Sequence, residues 1–213
     1  MALEITYLET ISSTQIFLEN ALKNGRLNAP IALYTFDQTG GIGSRDNRWE
    51  GVRGNLAFSF ALPIGAMPTD LPQQSASLYF GFLFKETLAA FGSAAWMKWP
   101  NDLYIDDKKI GGVITKRFYE YCVCGIGLNI HAPMPCYGAI DIAFDTPKLL
   151  AVFLDLVEKR TSWDTIFSLI DLEYNRNRAY AAHIGSRMVP LMNSQLDRDG
   201  SIIIDGERVF SER

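Results

Sequence analysis

Hydrophobic and polar positions alternate at the start of the chain, where Leu3, Ile5 and Tyr7 are separated by Glu4 and Thr6. A period of two is typical of a β-strand with one buried face. Comparable apolar runs bounded by Gly, Pro, Asn or Asp predict six further strands. These lie at about residues 31–36, 55–62, 95–99, 103–106, 109–116 and 119–130.

Helical patterns alternate with these strands. Ser12 and Gln15 have the spacing of a capping box, which predicts a first helix that runs to about Asn24 and stops at Gly25. Three more helices are predicted at about residues 70–91, 147–159 and 162–180.

The second predicted helix begins with a cap near Thr69 or Asp70 and ends before Gly92. Its segment 79–84 is aromatic and apolar on almost every side, which indicates a deeply buried helix rather than a cofactor site.

The last thirty or so residues have a different pattern. Asp205-Gly206 suits a two-residue hairpin turn between the apolar runs of residues 201–210. Together with residues 187–191, this hairpin predicts a small β appendix. We therefore expect a main domain at residues 1–182 and a short C-terminal β module at residues 183–213.

Composition narrows the class of protein. The chain has 213 residues, 48% of them hydrophobic and 21% charged, as in an ordinary globular protein with one substantial core. A net charge of −4 gives no general attraction to nucleic acid. No secretory signal and no membrane-spanning apolar run are evident, so we expect a cytoplasmic protein without nucleic-acid or membrane partners.

The cysteines make a poor metal site. Cys122 and Cys124 lie two apart in a predicted strand and share one face, with only His131 nearby. We favour buried, reduced thiols, and the sequence assigns no metal ligands.

Candidate chemistry is concentrated in residues 96–112. Pro100 cannot donate to a sheet and restricts Trp99 to extended geometry, so the strand should end there and leave Asn101 and Asp102 at its mouth. The next hairpin returns Lys109 close to this corner. A lysine-rich turn is often only solvated, and a glycine pair is often only a packing point, but their combination predicts a polar ligand site.

Four motifs occur in order between about Leu8 and Ile130. They are Ser12-Ser-Thr-Gln15, the glycine-rich loop from Gln38 to Trp49, Lys98-Trp-Pro-Asn-Asp102 followed by Lys109-Ile-Gly-Gly112, and Gly125-Ile-Gly-Leu-Asn129. This set resembles the motifs of biotin protein ligases, which adenylate biotin and attach it to a carrier lysine. The resemblance implies an α+β, class II synthetase-like fold: a mixed, mainly antiparallel sheet packed with helices, with residues 1–182 as the catalytic domain.

The resemblance also implies site residues. Those expected to bind biotin are Ser13, Thr14, Gln38, Gly41, Lys109 and Gly112. Those expected to bind the nucleotide are Arg45, Arg48, Trp49, Asn101 and Asn129. Lys109, Arg45 and Asp102 are the expected catalytic residues. By resemblance, Lys109 contacts both the biotin carboxylate and the α-phosphate, whereas Asp102 orients or deprotonates the acceptor lysine or has a structural hydrogen-bonding role.

The glycine-rich loop departs from the common family pattern Gly-Arg-Gly-Arg-x-x-Arg-x-Trp. Alignment on Trp49 places Ile42, Ser44 and Asn47 at the three arginine positions. Adenylation brings a carboxylate and a triphosphate together, so cations are still required. Arg45 is the favoured substitute because it lies inside the glycine loop, and Arg48 is the second candidate.

Two alternatives remain open at this point. Lipoate protein ligases share the fold and the reaction type, but their Arg-Arg-x-Ser-Gly-Gly-Gly-like loop is absent here. The other alternative is a non-catalytic protein that binds biotin.

For the ligase, we expect biotin and ATP as substrates with Mg²⁺, and the biotin carboxyl carrier protein of acetyl-CoA carboxylase as partner. We expect no repressor function, because no helix-turn-helix precedes the motifs, and a homodimer stays open.

Overall fold

The computed structural model describes residues 3–43, 49, 51–184 and 187–210. Its centre is a seven-stranded sheet formed by β1 (Ile5–Tyr7), β2 (Ile31–Thr35), β3 (Leu56–Pro63), β4 (Trp96–Lys98), β5 (Asp102–Ile105), β6 (Lys108–Phe118) and β7 (Tyr121–Leu128). The strand order is β1-β2-β3-β7-β6-β5-β4. Strand β1 runs parallel to β2, and the other neighbouring pairs are antiparallel. This confirms the predicted mixed, mainly antiparallel sheet.

Four α-helices pack on this sheet: α1 (Thr14–Lys23), α2 (Ala76–Ala90), α3 (Thr146–Glu158) and α4 (Trp163–Glu173). Short 3₁₀ turns lie at Ile64–Ala66, Gln73–Ser75 and Tyr174–Ala179. No helix in the described ranges is both long and apolar enough to cross a bilayer.

The two faces of the sheet follow from the alternation of side chains along its strands. Even-numbered residues of β3 and β7, such as Phe58 and Cys124, belong to the large core that includes α2, α3 and α4. Odd-numbered residues face the other way, where Ala61 and Val123 pack with Leu18 of α1 in a second, smaller core. Among the described elements, α1 is therefore the helix that packs on this second face, beside the surface that forms the cleft.

Helix α1 begins one residue later than the capping-box spacing predicted. Ser13, not Ser12, is the N-cap, and its Oγ accepts a hydrogen bond from the backbone N–H of Ile16. The Ser12 carbonyl instead accepts from the backbone N–H of Gly40, which ties this segment to the glycine-rich loop. As a result the Gln15 side chain does not bond back to the cap and is available for another role.

Helix α2 also begins later than predicted, because a 3₁₀ turn after Pro72 occupies the segment expected to start it. The predicted cap Asp70 serves a different helix, since its carboxylate accepts from the backbone N–H groups of Trp163 and Asp164 at the start of α4. All but three residues of α2 are buried, as the apolar pattern predicted; the exceptions are Glu86, Ala89 and Ala90.

The corner after β4 is fixed from outside the sheet. The backbone N–H of Trp99 donates to Asn177 Oδ1 at 2.7 Å, and the indole Nε1 of Trp99 donates to the Gly200 carbonyl at 2.9 Å. The two contacts join residues that are 78 and 101 positions apart in the sequence. They hold the segment that presents Asn101 and Asp102.

We expect Asn177→Leu to lower the free energy of unfolding by ~1–3 kcal/mol, because it leaves the buried N–H of Trp99 without an acceptor. Chemical denaturation of the variant measures this loss. Asn175→Leu is the matched control, since Asn175 lies in the same turn but is exposed. Equal stability of the two variants would show that the contact to Trp99 contributes nothing.

The C-terminal segment forms two small sheets, one of β8 (Ala181–Ile184) with β9 (Arg187–Pro190), the other of β10 (Gln195–Leu196), β11 (Ile202–Ile204) and β12 (Glu207–Val209). Asp205 and Gly206 both have positive φ, at 51° and 82°, as the predicted two-residue hairpin turn requires. Ile202 and Ile204 pack into the large core of the main sheet. The division at residue 182 stays a prediction.

Candidate active site

The floor of the cleft is a patch of small residues on three adjacent strands. Ser59 of β3 pairs with Gly125 of β7, and Ala57 of β3 pairs with Gly127 of β7, which pairs in turn with Gly112 of β6. Because these positions share the face beside α1, their small side chains leave space above the sheet. The cleft encloses about 470 Å³, including space open to solvent.

One wall carries uncharged polar groups linked by hydrogen bonds. The backbone N–H and the hydroxyl of Thr14 both donate to Gln38 Oε1, at 2.9 and 3.1 Å. Thr14 Oγ1 also lies 2.8 Å from Ser59 Oγ. Because the Thr14 proton is directed to Gln38, Ser59 is the donor of this second bond. All three side chains line the cleft.

Glycines at two positions make room for Trp49 beside this wall. A Cβ atom at residue 41 would lie 2.8 Å from both Gln38 Nε2 and the Trp49 carbonyl oxygen, which is too close for any other residue. A Cβ atom at residue 127 would lie 2.5 Å from Cε2 of the Trp49 indole. Gly41 and Gly127 therefore let the Trp49 ring rest directly on the sheet.

The charged part of the cleft is an ion pair. Lys109 Nζ lies 2.6 Å from Asp102 Oδ1, with 27% and 22% of the two side chains exposed. Gly112 lies beside this pair, since a Cβ atom there would be in ordinary contact with Asp102 Oδ1 at 3.4 Å. Lys109 Nζ also lies 5.8 Å from the centre of the Trp49 ring. A ligand can thus reach an ammonium group that is held in place but not buried.

A second lysine approaches this pair from the edge strand β4. Lys98 of β4 is the cross-strand partner of Asp102 in β5. Its Nζ donates a hydrogen bond to the hydroxyl of Tyr104 at 3.3 Å. Burial lowers the pKa of Lys98; Asp102 opposes this shift and the nearby charge of Lys109 adds to it. Lys98 opens the motif Lys98–Asp102, but the sequence analysis predicted no role for its side chain.

The two asparagines predicted to meet the nucleotide are held by bonds within the protein. Asn101 lines the cleft, and its Nδ2 donates to the Val113 carbonyl at 2.8 Å. Asn129 accepts from Asn55 Nδ2 and donates to the Gly138 carbonyl, and it is not among the residues that line the cleft. Their nucleotide-binding roles stay predictions.

The structure brings most of the predicted site residues to one cleft: Ser13, Thr14, Gln38, Trp49, Asn101, Asp102, Lys109 and Gly112 line it, and Gly41 lies against Gln38 beside it. Arg45 and Arg48 lie outside the described residues. Sequence reasoning assigned no site role to Gln15, Ser59, Gly125 or Gly127, which also line the cleft. For Ser59 the sequence did contain a signal, because a serine inside the apolar run of β3 is unusual.

This arrangement suits a small molecule with a neutral polar head and an anionic end. The uncharged Thr14–Gln38–Ser59 wall adjoins β3, whereas the Lys109–Asp102 pair lies beside β6. These strands are two spacings apart in the sheet, which is roughly 10 Å. Within the described residues, no group of three or more His, Cys, Asp or Glu side chains is placed to hold a metal ion.

Residues 7–129 match the model of the biotin/lipoate A/B protein ligase family, a match that covers more than half of the chain. The chain belongs to this family. The matched range contains every residue that lines the cleft, so the family assignment and the geometry concern the same part of the molecule.

Among solved structures of the family, the chain is similar to the biotin acetyl coenzyme A carboxylase synthetase from Helicobacter pylori with bound biotinylated ATP. The two are 39% identical with a TM-score of 0.94, over 98% of this chain and 100% of the other. A biotin protein ligase from Leishmania major in complex with biotinyl-5-AMP, at 18% identity and a TM-score of 0.73, shares the fold.

Two curated family members show partial matches. Biotin–protein ligase 2 of Arabidopsis thaliana is 34% identical over 113 residues, which cover 48% of this chain and 34% of the relative. The bifunctional ligase/repressor BirA of Escherichia coli is 30% identical over 133 residues, which cover 59% of this chain and 40% of the relative. The chain therefore spans well under two thirds of the length of these relatives.

Proposed function

We propose that this chain is an ATP-dependent biotin protein ligase that forms biotinyl-5′-AMP and transfers biotin to a lysine of a carrier protein. The observation that carries the proposal is the separation of polar groups in the cleft. Biotin has a neutral bicyclic head and a carboxylate tail, which match the Thr14–Gln38 wall and the Lys109 ammonium group across a glycine floor.

In the first step, a biotin carboxylate oxygen attacks the α-phosphorus of ATP. A bond forms between that oxygen and phosphorus, and the bond to the bridging oxygen of pyrophosphate breaks, so pyrophosphate leaves with its electron pair. Both reactants are anions, and the ammonium group of Lys109 reduces their repulsion. The ion pair with Asp102 holds Lys109 at the mouth of the cleft before either substrate binds.

In the second step, the ε-amine of the acceptor lysine attacks the acyl carbon of the adenylate, and AMP leaves as an amide bond forms. A lysine side chain is mostly an ammonium ion near neutral pH, so it must lose a proton before it attacks. Asp102 lines the cleft with 22% of its side chain exposed, and its carboxylate is proposed to take this proton.

ATP is proposed to arrive with Mg²⁺, which binds nucleotide phosphates together with one or two carboxylates in many enzymes. In the described residues no group of three or more His, Cys, Asp or Glu side chains is placed to hold a metal ion, so nucleotide phosphates and water would supply most of its ligands. The ion would neutralise phosphate charge. Arg45 and, failing that, Arg48 are proposed to supply the cationic contacts to phosphate that the usual loop arginines give elsewhere.

The proposed carrier is the biotin carboxyl carrier protein of acetyl-CoA carboxylase. Its support is the similarity, at 39% identity over nearly the whole chain, to a protein described as a biotin acetyl coenzyme A carboxylase synthetase. Incubation of the chain with the purified carrier, biotin and ATP should biotinylate one carrier lysine. Biotinylation that is indifferent to the carrier's identity would contradict a specific partnership.

Exchange of labelled pyrophosphate into ATP tests the first step. We expect exchange that requires biotin and stops when Mg²⁺ is chelated. Lipoate, run in parallel at equal concentration, should support little or none. Exchange with lipoate in preference to biotin would make the chain a lipoate ligase, and biotin binding without exchange would make it a non-catalytic relative.

A further inference from the structure

The backbone of Lys109 is held by the loop segment 137–140 on the side that faces β7. The pairing of β7 with β6 stops before it reaches Lys109. In its place, the backbone N–H of Gly138 donates to the Lys109 carbonyl at 2.9 Å, and Lys109 forms a parallel bridge with this segment. The approach requires glycine, since a Cβ atom at residue 138 would lie 2.9 Å from Ile110 Cγ2 and 3.0 Å from Lys108 Cβ.

The other neighbour of Lys109 supports it less regularly. Lys109 pairs with Tyr104 of β5, but the register between β5 and β6 shifts at Leu103 and Tyr104. Such a shift leaves a residue unpaired and interrupts the ladder of hydrogen bonds. The hydrogen bond from Gly138 therefore fixes the Lys109 backbone beside an interruption in the sheet.

The loop segment is fixed in turn by the buried residue Asn129. Its Nδ2 donates to the Gly138 carbonyl at 3.2 Å, and its backbone carbonyl accepts from the N–H of Ile140 at 2.8 Å. The backbone N–H of Asn129 donates to the Ile110 carbonyl of β6 at 2.7 Å. Only 1% of Asn129 is exposed, so these bonds are shielded from water. Asn129 thus ties the loop segment to the start of β6.

The amide of Asn129 is oriented by a second buried amide, that of Asn55. Asn55 Oδ1 accepts from the backbone N–H of His131 at 2.7 Å, and Asn55 Nδ2 donates to the His131 carbonyl at 2.9 Å. Backbone groups therefore determine which end of the Asn55 amide is oxygen and which is nitrogen. The second hydrogen on Nδ2 donates to Asn129 Oδ1 at 3.2 Å, which leaves Asn129 Nδ2 for the Gly138 carbonyl.

We propose that Asn55 is a positioning residue that holds Lys109 in place for adenylation, through Asn129 and Gly138. The inference rests on the proposed function. Asp102 fixes the ammonium end of Lys109, and this series of hydrogen bonds fixes its backbone end. A charged group displaced by about 1 Å from reacting atoms can cost roughly a hundred-fold in rate, so both ends matter.

Single-turnover formation of biotinyl-5′-AMP by the full chain, at saturating biotin and ATP, tests the assignment. Asn55→Asp keeps the size of the side chain and the acceptor for the His131 N–H, but an ionised carboxylate has no hydrogen to donate. It turns an oxygen toward the two carbonyl oxygens that Asn55 bonds, and adenylation should fall roughly ten-fold to a hundred-fold. Asn28→Asp is the matched control at an exposed position and should leave the rate unchanged.

Combination with Lys109→Ala separates positioning from a structural role. If Asn55 acts through Lys109, Asn55→Asp should change the residual rate of Lys109→Ala by less than about two-fold, because no ammonium group is left to position. General damage to the fold, or a lost contact to the nucleotide, would instead lower the rate by the same factor with and without Lys109. That result would overturn the proposal, as would a normal rate in Asn55→Asp alone.

Gly138→Ala acts on the same series from its other end and serves if Asn55→Asp does not fold. Its added methyl group meets the side chains of Ile110 and Lys108 and moves the loop segment away from Lys109. Adenylation should again fall roughly ten-fold or more, and the effect should again disappear in the Lys109→Ala background. A normal rate, or an equal loss in both backgrounds, would contradict the inference.

The wild-type chain distinguishes this proposal from the one on which it rests. A wild-type chain that forms no adenylate from biotin and ATP removes the proposed function, and this inference with it. A wild-type chain that forms the adenylate, together with an Asn55→Asp variant of equal rate, leaves the ligase function standing and removes only the role of Asn55.

Discussion

Lys109→Ala is expected to lower the rate of biotin adenylation by roughly 10²- to 10³-fold, the usual effect of removing a group that stabilises charge in a transition state. Lys109 is the ammonium group of the cleft that is both fixed, by Asp102 at 2.6 Å, and reachable, with 27% of its side chain exposed. Single-turnover formation of biotinyl-5′-AMP measures the loss. Because the side chain is not part of a core, the variant should keep its melting temperature.

Lys108→Ala is the matched control for this prediction, since Lys108 precedes Lys109 on β6 and is exposed. It removes the same charge from the same hairpin and should change adenylation little. Lys109→Arg should recover part of the rate, because it keeps the positive charge but not its compact shape. Normal adenylation in Lys109→Ala would remove Lys109 from the mechanism.

The features that the sequence predicted correctly depend on local patterns. The strands β3 and β7 were both expected from their apolar runs, and the alternation of side chains along them determines which face meets the helices and which face forms the cleft. The Trp99-Pro100 corner likewise follows from the chemistry of proline, so the proximity of Asp102 and Lys109 was foreseeable.

The features that the sequence did not predict depend on long-range partners. Asp70 looked like the cap of the helix that follows it, but it caps α4, more than ninety residues away. Gln15 looked like part of a capping box, but Glu19 and Lys116 orient its amide toward the cleft. A local pattern identifies a side chain that can form hydrogen bonds. Only the tertiary structure decides which partner it bonds to.

Asp102→Asn is expected to separate the two steps of the reaction. The amide keeps an oxygen that can accept from Lys109, so adenylation should fall less than roughly ten-fold. It cannot take a proton, so transfer of biotin to the carrier lysine should fall by roughly 10²- to 10⁴-fold near neutral pH, the typical contribution of a general base. Mixing enzyme-bound adenylate with carrier in a single turnover measures transfer alone.

The pH dependence of transfer decides between a base and a structural role for Asp102. A lysine amine has an ordinary pKa of about 10.4, so the neutral fraction of the acceptor increases with pH and the need for a base decreases. The gap between wild type and Asp102→Asn should therefore narrow as pH rises, whereas loss of a structural contact would slow both steps and leave the two pH profiles parallel. Asp107→Asn, an exposed position in the turn of the same hairpin, should leave both steps unchanged.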